Sequence, residues 1–403
     1  CFMKNLKFFE VYLLLFFLDS NLSYLEIGLL FSIRESIATI MEIPSGIIAD
    51  SFGRRRSMLL AFSFYIVAFL IFGILNNFCI FAVAMIFFGC GEAFRSGTHK
   101  AMILSYLEKE GILHTKTDYY GNTRSASQLG SCLSVILGTL LVFWGQNYNI
   151  IFFCSIIPYI LGFSLILSYP RYLDYNYNIK TNLSKVNLKK ELIYNIKEFI
   201  ELLQNKSIRR PTLQLAYFDA LFKTVKHYIQ PIIKNFALII PILFGLEKRQ
   251  KIAVLIGIVY SILYFLSSFA SRYSGIINKR IPNLSFLVKI TYWVGIALIV
   301  NIGIFLFFKC YVISIIIFIL LFILMNLRKP LTVSFYSSFI KPKIMATGLS
   351  FQSQIKTIIV IVLSPLMGYF TDVMGIGVAL ILISLIGILF LPLSLGNKRL
   401  FEK

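Results

Sequence analysis

The chain turns between two long apolar runs at Gly46-Ile47-Ile48-Ala49-Asp50-Ser51-Phe52-Gly53-Arg54-Arg55-Arg56. The flanking runs, Leu25–Ile48 and Met58–Leu75, are each long enough to cross a bilayer as a helix. Gly53 predicts a tight reversal, since glycine adopts positive φ at little cost. The acid and the three arginines indicate a short hairpin loop outside the bilayer core, because arginines resist crossing the membrane.

Apolar runs of this kind fill nearly the whole chain. Its 403 residues are 58% hydrophobic and 14% charged, whereas soluble domains carry about 25% charged residues. Composition therefore predicts a polytopic α-helical membrane protein. The predicted spans are 5–20, 25–48, 57–76, 79–106, 122–144, 149–169, 211–233, 250–274, 285–308, 310–339, 347–371 and 375–396.

The net charge of +21 follows from cations clustered in particular loops. Placing these loops on the inner side predicts a cell-membrane protein with both termini in the cytoplasm. The bilayer is then the partner of the basic face, and the sequence has no stacking-aromatic or basic-groove pattern for nucleic acid. The longest polar stretch predicts three parts: an N-terminal six-helix bundle at 1–170, a cytoplasmic central loop with an amphipathic helix at 171–210, and a C-terminal six-helix bundle at 211–403.

Metal, cofactor and enzyme chemistry find no support in the sequence. The six cysteines are scattered singly, without metal-ligand spacing. His99, His114 and His227 are far apart, and no phosphate-binding Gly-x-x-x-x-Gly-Lys-Ser/Thr loop occurs. We therefore predict no metal site, no cofactor and no enzyme.

The hairpin loop resembles the signature between helices 2 and 3 of the major facilitator superfamily, Gly-x-x-x-Asp-x-x-Gly-Arg-Arg/Lys. The matching residues are Gly46, Asp50, Gly53, Arg54 and Arg55. The resemblance implies an all-α membrane protein with twelve transmembrane helices in two pseudo-symmetric six-helix bundles. It also implies a transporter whose signature residues form a charge network that latches one conformation at the cytoplasmic side. Asp50 would then pair with Arg54 or a nearby base and face the start of span 11.

Three features depart from that family. Arg95 in span 4 follows Gly89 and Gly91, whereas the family's arginine usually precedes the glycines. Span 5 lacks the Gly-Pro motif that marks many drug–proton antiporters, and the second-half loop at 271–280 lacks the acid. Arg95 does have a counterpart in Arg328 of span 10, as expected of duplicated halves.

Ionisable side chains within the spans are the candidate site residues, because each costs on the order of 3 kcal/mol in lipid and therefore faces a partner or a cavity. Helical spacing puts Glu92, Arg95 and His99 of span 4 on one face, where Glu92 and Arg95 can pair directly, and it predicts a polar stripe on span 7. The predicted substrate or proton pathway comprises Glu35, Glu92, Arg95, His99, Gln128, Asp219, Lys223, Lys226, His227 and Gln354. The alternative is that these residues form structural ion pairs between helices.

Together these features predict a secondary active transporter of a small solute, working by alternating access and coupled to protons. Glu35, Glu92 and Asp219 are the candidate proton carriers. The intramembrane arginines and lysines favour an anionic or zwitterionic substrate. Two alternatives stay open: a multidrug efflux pump of the same fold, and a membrane sensor or scaffold that does not transport.

Overall fold

The computed structural model describes residues 2–96, 98–111, 116–145, 147–170, 204, 206–240, 245–280, 284–337 and 345–389. We number the helices α1 Leu13–Asp19, α2 Tyr24–Ile40, α3 Glu42–Phe52, α4 Arg54–Ile74, α5 Phe78–Ser96, α6 Thr98–Lys109, α7 Lys116–Gly145, α8 Asn149–Leu167, α9 Lys206–Val225, α10 Ile229–Ile239, α11 Lys248–Arg280, α12 Leu284–Phe307, α13 Tyr311–Ser337 and α14 Met345–Leu389.

The described residues form helices and connecting turns without a strand, which confirms the predicted all-α class. Within the described ranges, seven helices are long and apolar enough to cross a membrane. The last of them extends over 39 residues, about 58 Å at the helical rise, which is enough for two crossings. Gly375, at φ 81°, interrupts α14 between predicted spans 11 and 12.

Two predicted spans differ from the structure. Span 1 was expected as one helix over 5–20, but only Leu13–Asp19 is α-helical. Before it the backbone makes i→i−3 hydrogen bonds, from Glu10 to Lys7 and from Tyr12 to Phe9. Residues 11–17 are all buried, so this segment is a core element without a lipid face.

Span 7 begins at Lys206, inside the segment predicted as central loop, and it is broken into α9 and α10 by a 3₁₀ turn at Lys226–Tyr228. Pro231 supplies the reason. It has no N–H to donate to the carbonyl of His227, and its ring would clash with that carbonyl in a straight helix.

The described helices fall into two compact units. Unit 1 comprises Cys1–Phe16 and Leu30–Asn195, and unit 2 comprises Phe17–Leu29 and Ile196–Lys403. The predicted central loop lies mainly outside the described residues. The core of unit 1 is a cluster of aromatic rings with centroids 4.6–6.4 Å apart: Phe9, Phe16, Tyr65, Phe69, Phe72, Phe81, Phe88, Phe152 and Tyr159.

In unit 2 the first turn of α2 is capped twice. Ser23 and Glu26 form a capping box, in which the Ser23 N–H donates to the Glu26 carboxylate at 2.8 Å and the Glu26 N–H donates to Ser23 Oγ at 3.2 Å. Asp372 of α14 accepts the remaining N–H groups, from Tyr24 at 2.9 Å and from Leu25 at 2.7 Å. The contact is close because Gly28 and Gly368 carry no Cβ: at Gly368 one would lie 2.2 Å from the Tyr24 carbonyl oxygen.

The outer surfaces of the helices are apolar, as a bilayer requires. Large hydrophobic side chains are exposed along most of them. Both tryptophans belong to this surface: Trp144 at the end of α7 is 81% exposed, and Trp293 on α12 is 44% exposed.

Candidate functional site

The signature loop contains the tight reversal that its glycine predicted. Gly53, at φ 101° and ψ 143°, ends α3, and α4 begins at the next residue. The backbone of Asp50 lies in the last turns of α3, but its side chain is outside the described part, so the proposed latch stays a prediction. No described atom lies within 4 Å of a Cβ built at Gly46.

Arg55 holds the C-terminus of α8. Its Nε donates to the carbonyl of Ile166 at 3.1 Å, and its Nη2 donates to the carbonyl of Leu167. These carbonyls lie in the last turn of the helix, where backbone partners become few, and that of Ile166 also accepts from the Tyr169 N–H at 3.1 Å. A cation here also opposes the negative end of the helix dipole. The signature arginine therefore fixes α8 against α4 within unit 1.

Replacing Arg55 with alanine should lower the unfolding free energy by about 2 kcal/mol, the typical worth of hydrogen bonds to a charged group. Thermal unfolding in detergent, followed by circular dichroism, measures this loss. The control is Arg56→Ala: Arg56 is exposed, and its loss should cost less than about 0.5 kcal/mol. Equal melting temperatures for Arg55→Ala and Arg56→Ala would contradict the claim that Arg55 caps the C-terminus of α8.

Unit 1 buries an ion pair between adjacent residues of α2. Arg34 Nη2 and Glu35 Oε1 lie 2.8 Å apart, with side chains only 12% and 4% exposed. The guanidinium also lies 5.4 Å from the Phe31 ring centroid and 5.9 Å from that of Phe88. The charges of Glu92 and Glu10 act on Arg34 as well. Three acids therefore act on this arginine, which lies beside Phe88 of the aromatic cluster of unit 1.

The charges of span 4 are arranged differently from the predicted direct pair. Arg95 Nε donates to the Tyr65 hydroxyl at 3.1 Å, and no hydrogen bond joins it to Glu92 among the described residues. Glu92 instead acts at longer range on both Arg95 and Arg34. His99 lies on the separate helix α6 and lines a cavity of about 480 Å³ between α4, α6 and α8. The three predicted residues therefore do not form one group: Arg95 and Glu92 interact within the core of unit 1, whereas His99 lines a separate cavity.

In unit 2 the kink of span 7 divides the predicted polar stripe. Asp219 and Lys223 lie on α9, Lys226 and His227 on the 3₁₀ turn, and Gln230 on α10. The turn changes the angular position of the later residues, so one straight stripe does not form. His227 and Gln230 are buried, whereas the other three are half-buried.

Asp219 is surrounded by bases from two other helices. Arg328 and Lys329 of α13 and Lys356 of α14 all act electrostatically on its carboxylate. Arg328 is fully buried and lies with its guanidinium carbon 4.4 Å from the Phe218 ring centroid and 5.6 Å from that of Tyr292. Three bases against one acid give this cluster an excess of positive charge.

Sequence reasoning named Arg328 only as the counterpart of Arg95, and it missed Tyr65, Phe218 and Tyr292. The counterpart relation was the available signal for Arg328. Tyr65 gave no signal, because a tyrosine within an apolar run looks like any core aromatic. Of the remaining predicted residues, Gln354 is half-buried on α14, and the side chain of Gln128 lies outside the described part. Among the described residues, no three His, Cys, Asp or Glu side chains are grouped as metal ligands.

The family model described as Major Facilitator Superfamily matches residues 5–360 of the chain. The chain belongs to the major facilitator superfamily. A curated relative in this superfamily, the uncharacterized MFS-type transporter YxaM of Bacillus subtilis (strain 168), is 22% identical over 228 residues, which are 55% of this chain and 53% of that protein. The uncharacterized MFS-type transporter MJ1560 of Methanocaldococcus jannaschii is 27% identical over 169 residues, 41% of each chain. The chain thus spans about half the length of the curated relatives it matches.

Solved structures of major facilitator superfamily transporters superpose on the whole chain. The nucleoside transporter NupG gives a TM-score of 0.71 at 11% identity, covering 100% of this chain and 98% of that chain. A POT family transporter in complex with 5-aminolevulinic acid gives 0.67 at 14% identity, covering 100% and 93%. At such identities the likeness shows the fold alone, and it confirms the predicted fold with twelve transmembrane helices in two bundles. The chain is a multi-pass membrane protein of this superfamily.

Proposed function

We propose that this protein is a proton-coupled secondary active transporter of a small anionic or zwitterionic solute. The observation that carries the proposal is the grouping of buried ionisable side chains inside apolar helices of both units. Such groups mark substrate and proton pathways in membrane proteins, because isolated they would be too costly to bury. The POT family transporter holding 5-aminolevulinic acid lends support, since its ligand carries both an amine and a carboxylate.

The roles of the candidate residues follow from their charges. Glu35, Glu92 and Asp219 are the proposed proton carriers, and the charge of at least one arginine acts on each of them. Arg95, His99, Lys223, Lys226, His227, Gln128 and Gln354 are proposed as lining of the pathway. Gly46, Asp50, Gly53, Arg54 and Arg55 are proposed as the cytoplasmic latch. With Arg54 to Arg56 on the inner side, both termini lie in the cytoplasm of a cell-membrane protein.

Flux into liposomes tests the proposal. A pH-sensitive dye is enclosed, and a panel of carboxylates, amino acids, sugars and lipophilic cations is imposed in turn. We expect internal pH to change with one anionic or zwitterionic class. The change should fall by about 100-fold in Asp219→Asn or Glu92→Gln, as the loss of one essential proton carrier predicts.

Other outcomes separate the alternatives. Proton movement driven by lipophilic cations would favour multidrug efflux, and solute movement without protons would leave the three acids as structural pairs. Asp50→Asn distinguishes a transporter from a sensor or scaffold: a transporter should lose flux, whereas a scaffold should keep its output. Arg249→Gln, on an exposed ion pair, is the control and should transport like the unmodified chain.

A further inference from the structure

One edge of the Arg328 guanidinium, formed by Nε and Nη2, makes no hydrogen bond to any described residue. Its Nη1 donates to the carbonyl of Val288 and to Thr291 Oγ1, both at 3.1 Å. Its Nε and Nη2 have no hydrogen-bond partner among the described residues, although Arg328 is completely buried. A buried donor left without a partner is destabilising, because it has lost its hydrogen bonds to water. In a purely structural arginine these donors would have protein partners, so the two donors indicate a place for a ligand.

The surroundings hold this edge in a fixed orientation. The two Nη1 hydrogen bonds fix one end of the guanidinium, and its carbon lies over the ring of Phe218, 4.4 Å from the ring centroid. Nε and Nη2 lie on the same side of the planar group, as two parallel donors. That fork matches the two oxygens of a carboxylate, which arginine binds with paired hydrogen bonds.

The charge balance around the edge favours an incoming anion. Asp219 acts on Arg328 electrostatically, but no hydrogen bond joins the two residues. Lys329 and Lys356 act on the same carboxylate. Asp219 therefore offsets part of the positive charge while the donors of Arg328 stay available, and a net positive cluster attracts an anion.

We propose that Arg328 binds the carboxylate of the transported solute on its Nε–Nη2 edge, with Asp219 as the internal competitor for the same guanidinium. This inference rests on the proposed transport function and names the group of the substrate that unit 2 recognises. In the present conformation Arg328 is closed to solvent, so binding belongs to a conformation in which α9 and α13 uncover the edge. A zwitterionic solute would present its amine to Asp219 and its carboxylate to Arg328.

Equilibrium binding by isothermal titration calorimetry tests the assignment without requiring flux. The purified full chain in detergent is titrated with sodium acetate, pyruvate, benzoate and glycine, and separately with phosphate and chloride. We expect saturable binding of a carboxylate, weakened about 10- to 100-fold in Arg328→Lys, which keeps the charge but loses the paired donors. Asp219→Asn should tighten the binding of acetate, pyruvate or benzoate about tenfold, because it removes the competing charge.

Two further variants keep the test decisive. Arg249→Lys, at the exposed pair with Asp19, should bind like the unmodified chain. Should Arg328→Lys fail to fold, Thr291→Val removes one Nη1 hydrogen bond while keeping the arginine, and it should weaken binding about threefold to tenfold.

Equal affinity in the unmodified chain, Arg328→Lys and Thr291→Val would overturn the assignment, as would binding of phosphate but of no carboxylate, or of neither. Failure of this inference is distinct from failure of the proposed function. Proton-coupled flux with an intact Michaelis constant in Arg328→Lys would leave the transporter standing and remove the site. Binding that depends on Arg328, without any flux in liposomes, would support the carboxylate site and contradict the proposed transport function.

Discussion

Replacing Arg34 with methionine should destabilise unit 1 by about 3–5 kcal/mol, because it leaves Glu35 as an uncompensated buried charge. The Glu35 side chain is 4% exposed, so water cannot replace the lost partner. Glu92 and Glu10, whose charges also act on Arg34, would then repel Glu35 without a central cation. Thermal unfolding in detergent should show a loss of this size, together with reduced yield of folded protein.

Two controls test whether burial is the cause. Arg249→Met breaks the pair with Asp19, whose side chains are 43% and 40% exposed, and it should cost less than about 1 kcal/mol. Arg34→Met combined with Glu35→Leu removes both charges and should recover much of the loss, as apolar replacement of buried pairs does. A double variant as unstable as the single one would show that packing, and not charge, causes the effect.

Gly368→Leu is the second large change, and it should cost about 2–4 kcal/mol by combining overpacking with loss of helix capping. A Cβ at residue 368 would lie 2.2 Å from the carbonyl oxygen of Tyr24 and 2.7 Å from the Cα of Leu25. Both neighbours are backbone atoms, so no side-chain rotation relieves the clash. The first turn of α2 must move away from α14, and the hydrogen bonds of Asp372, one turn further along, are lost with it.

Hydrogen exchange gives the local measurement. Peptides covering residues 23–27 should exchange faster in Gly368→Leu, and by a smaller amount in Asp372→Asn, which weakens the cap without the clash. Gly46→Ala is the matched glycine for stability alone, since a Cβ there meets no described atom within 4 Å. If residues 23–27 of Gly368→Leu exchanged at the rate of the unmodified chain, the close contact between Gly368 and the first turn of α2 would be contradicted.

Sequence reasoning was strongest where the determinants are local. Apolar run length gave the spans, and the φ of 101° at Gly53 is what a short hairpin with a glycine requires. The kink before Pro231 was also open to prediction, because proline removes a helical donor wherever it stands. It was missed because helical spacing was applied to span 7 as a whole.

Contacts between helices distant in sequence could not be predicted. Arg95 and Tyr65 are separated by 30 positions, and Arg328 and Val288 by 40. An arginine in an apolar run has many possible partners, and only packing selects among them. Spacing on span 4 therefore favoured Glu92 as the partner of Arg95. In the folded chain Arg95 donates its hydrogen bond to the Tyr65 hydroxyl.

The two exposed tryptophans give the molecule a built-in optical probe. Trp144 stands 81% exposed at a helix end, where its emission reports the surrounding lipid or detergent. Trp293 is next in sequence to Tyr292, the two rings are 6.4 Å apart, and Tyr292 lies 5.6 Å from the guanidinium carbon of Arg328. With Trp144 exchanged for phenylalanine, the fluorescence of the chain comes from a single indole beside the charged cluster of unit 2, so ligand titrations can be followed without any attached label.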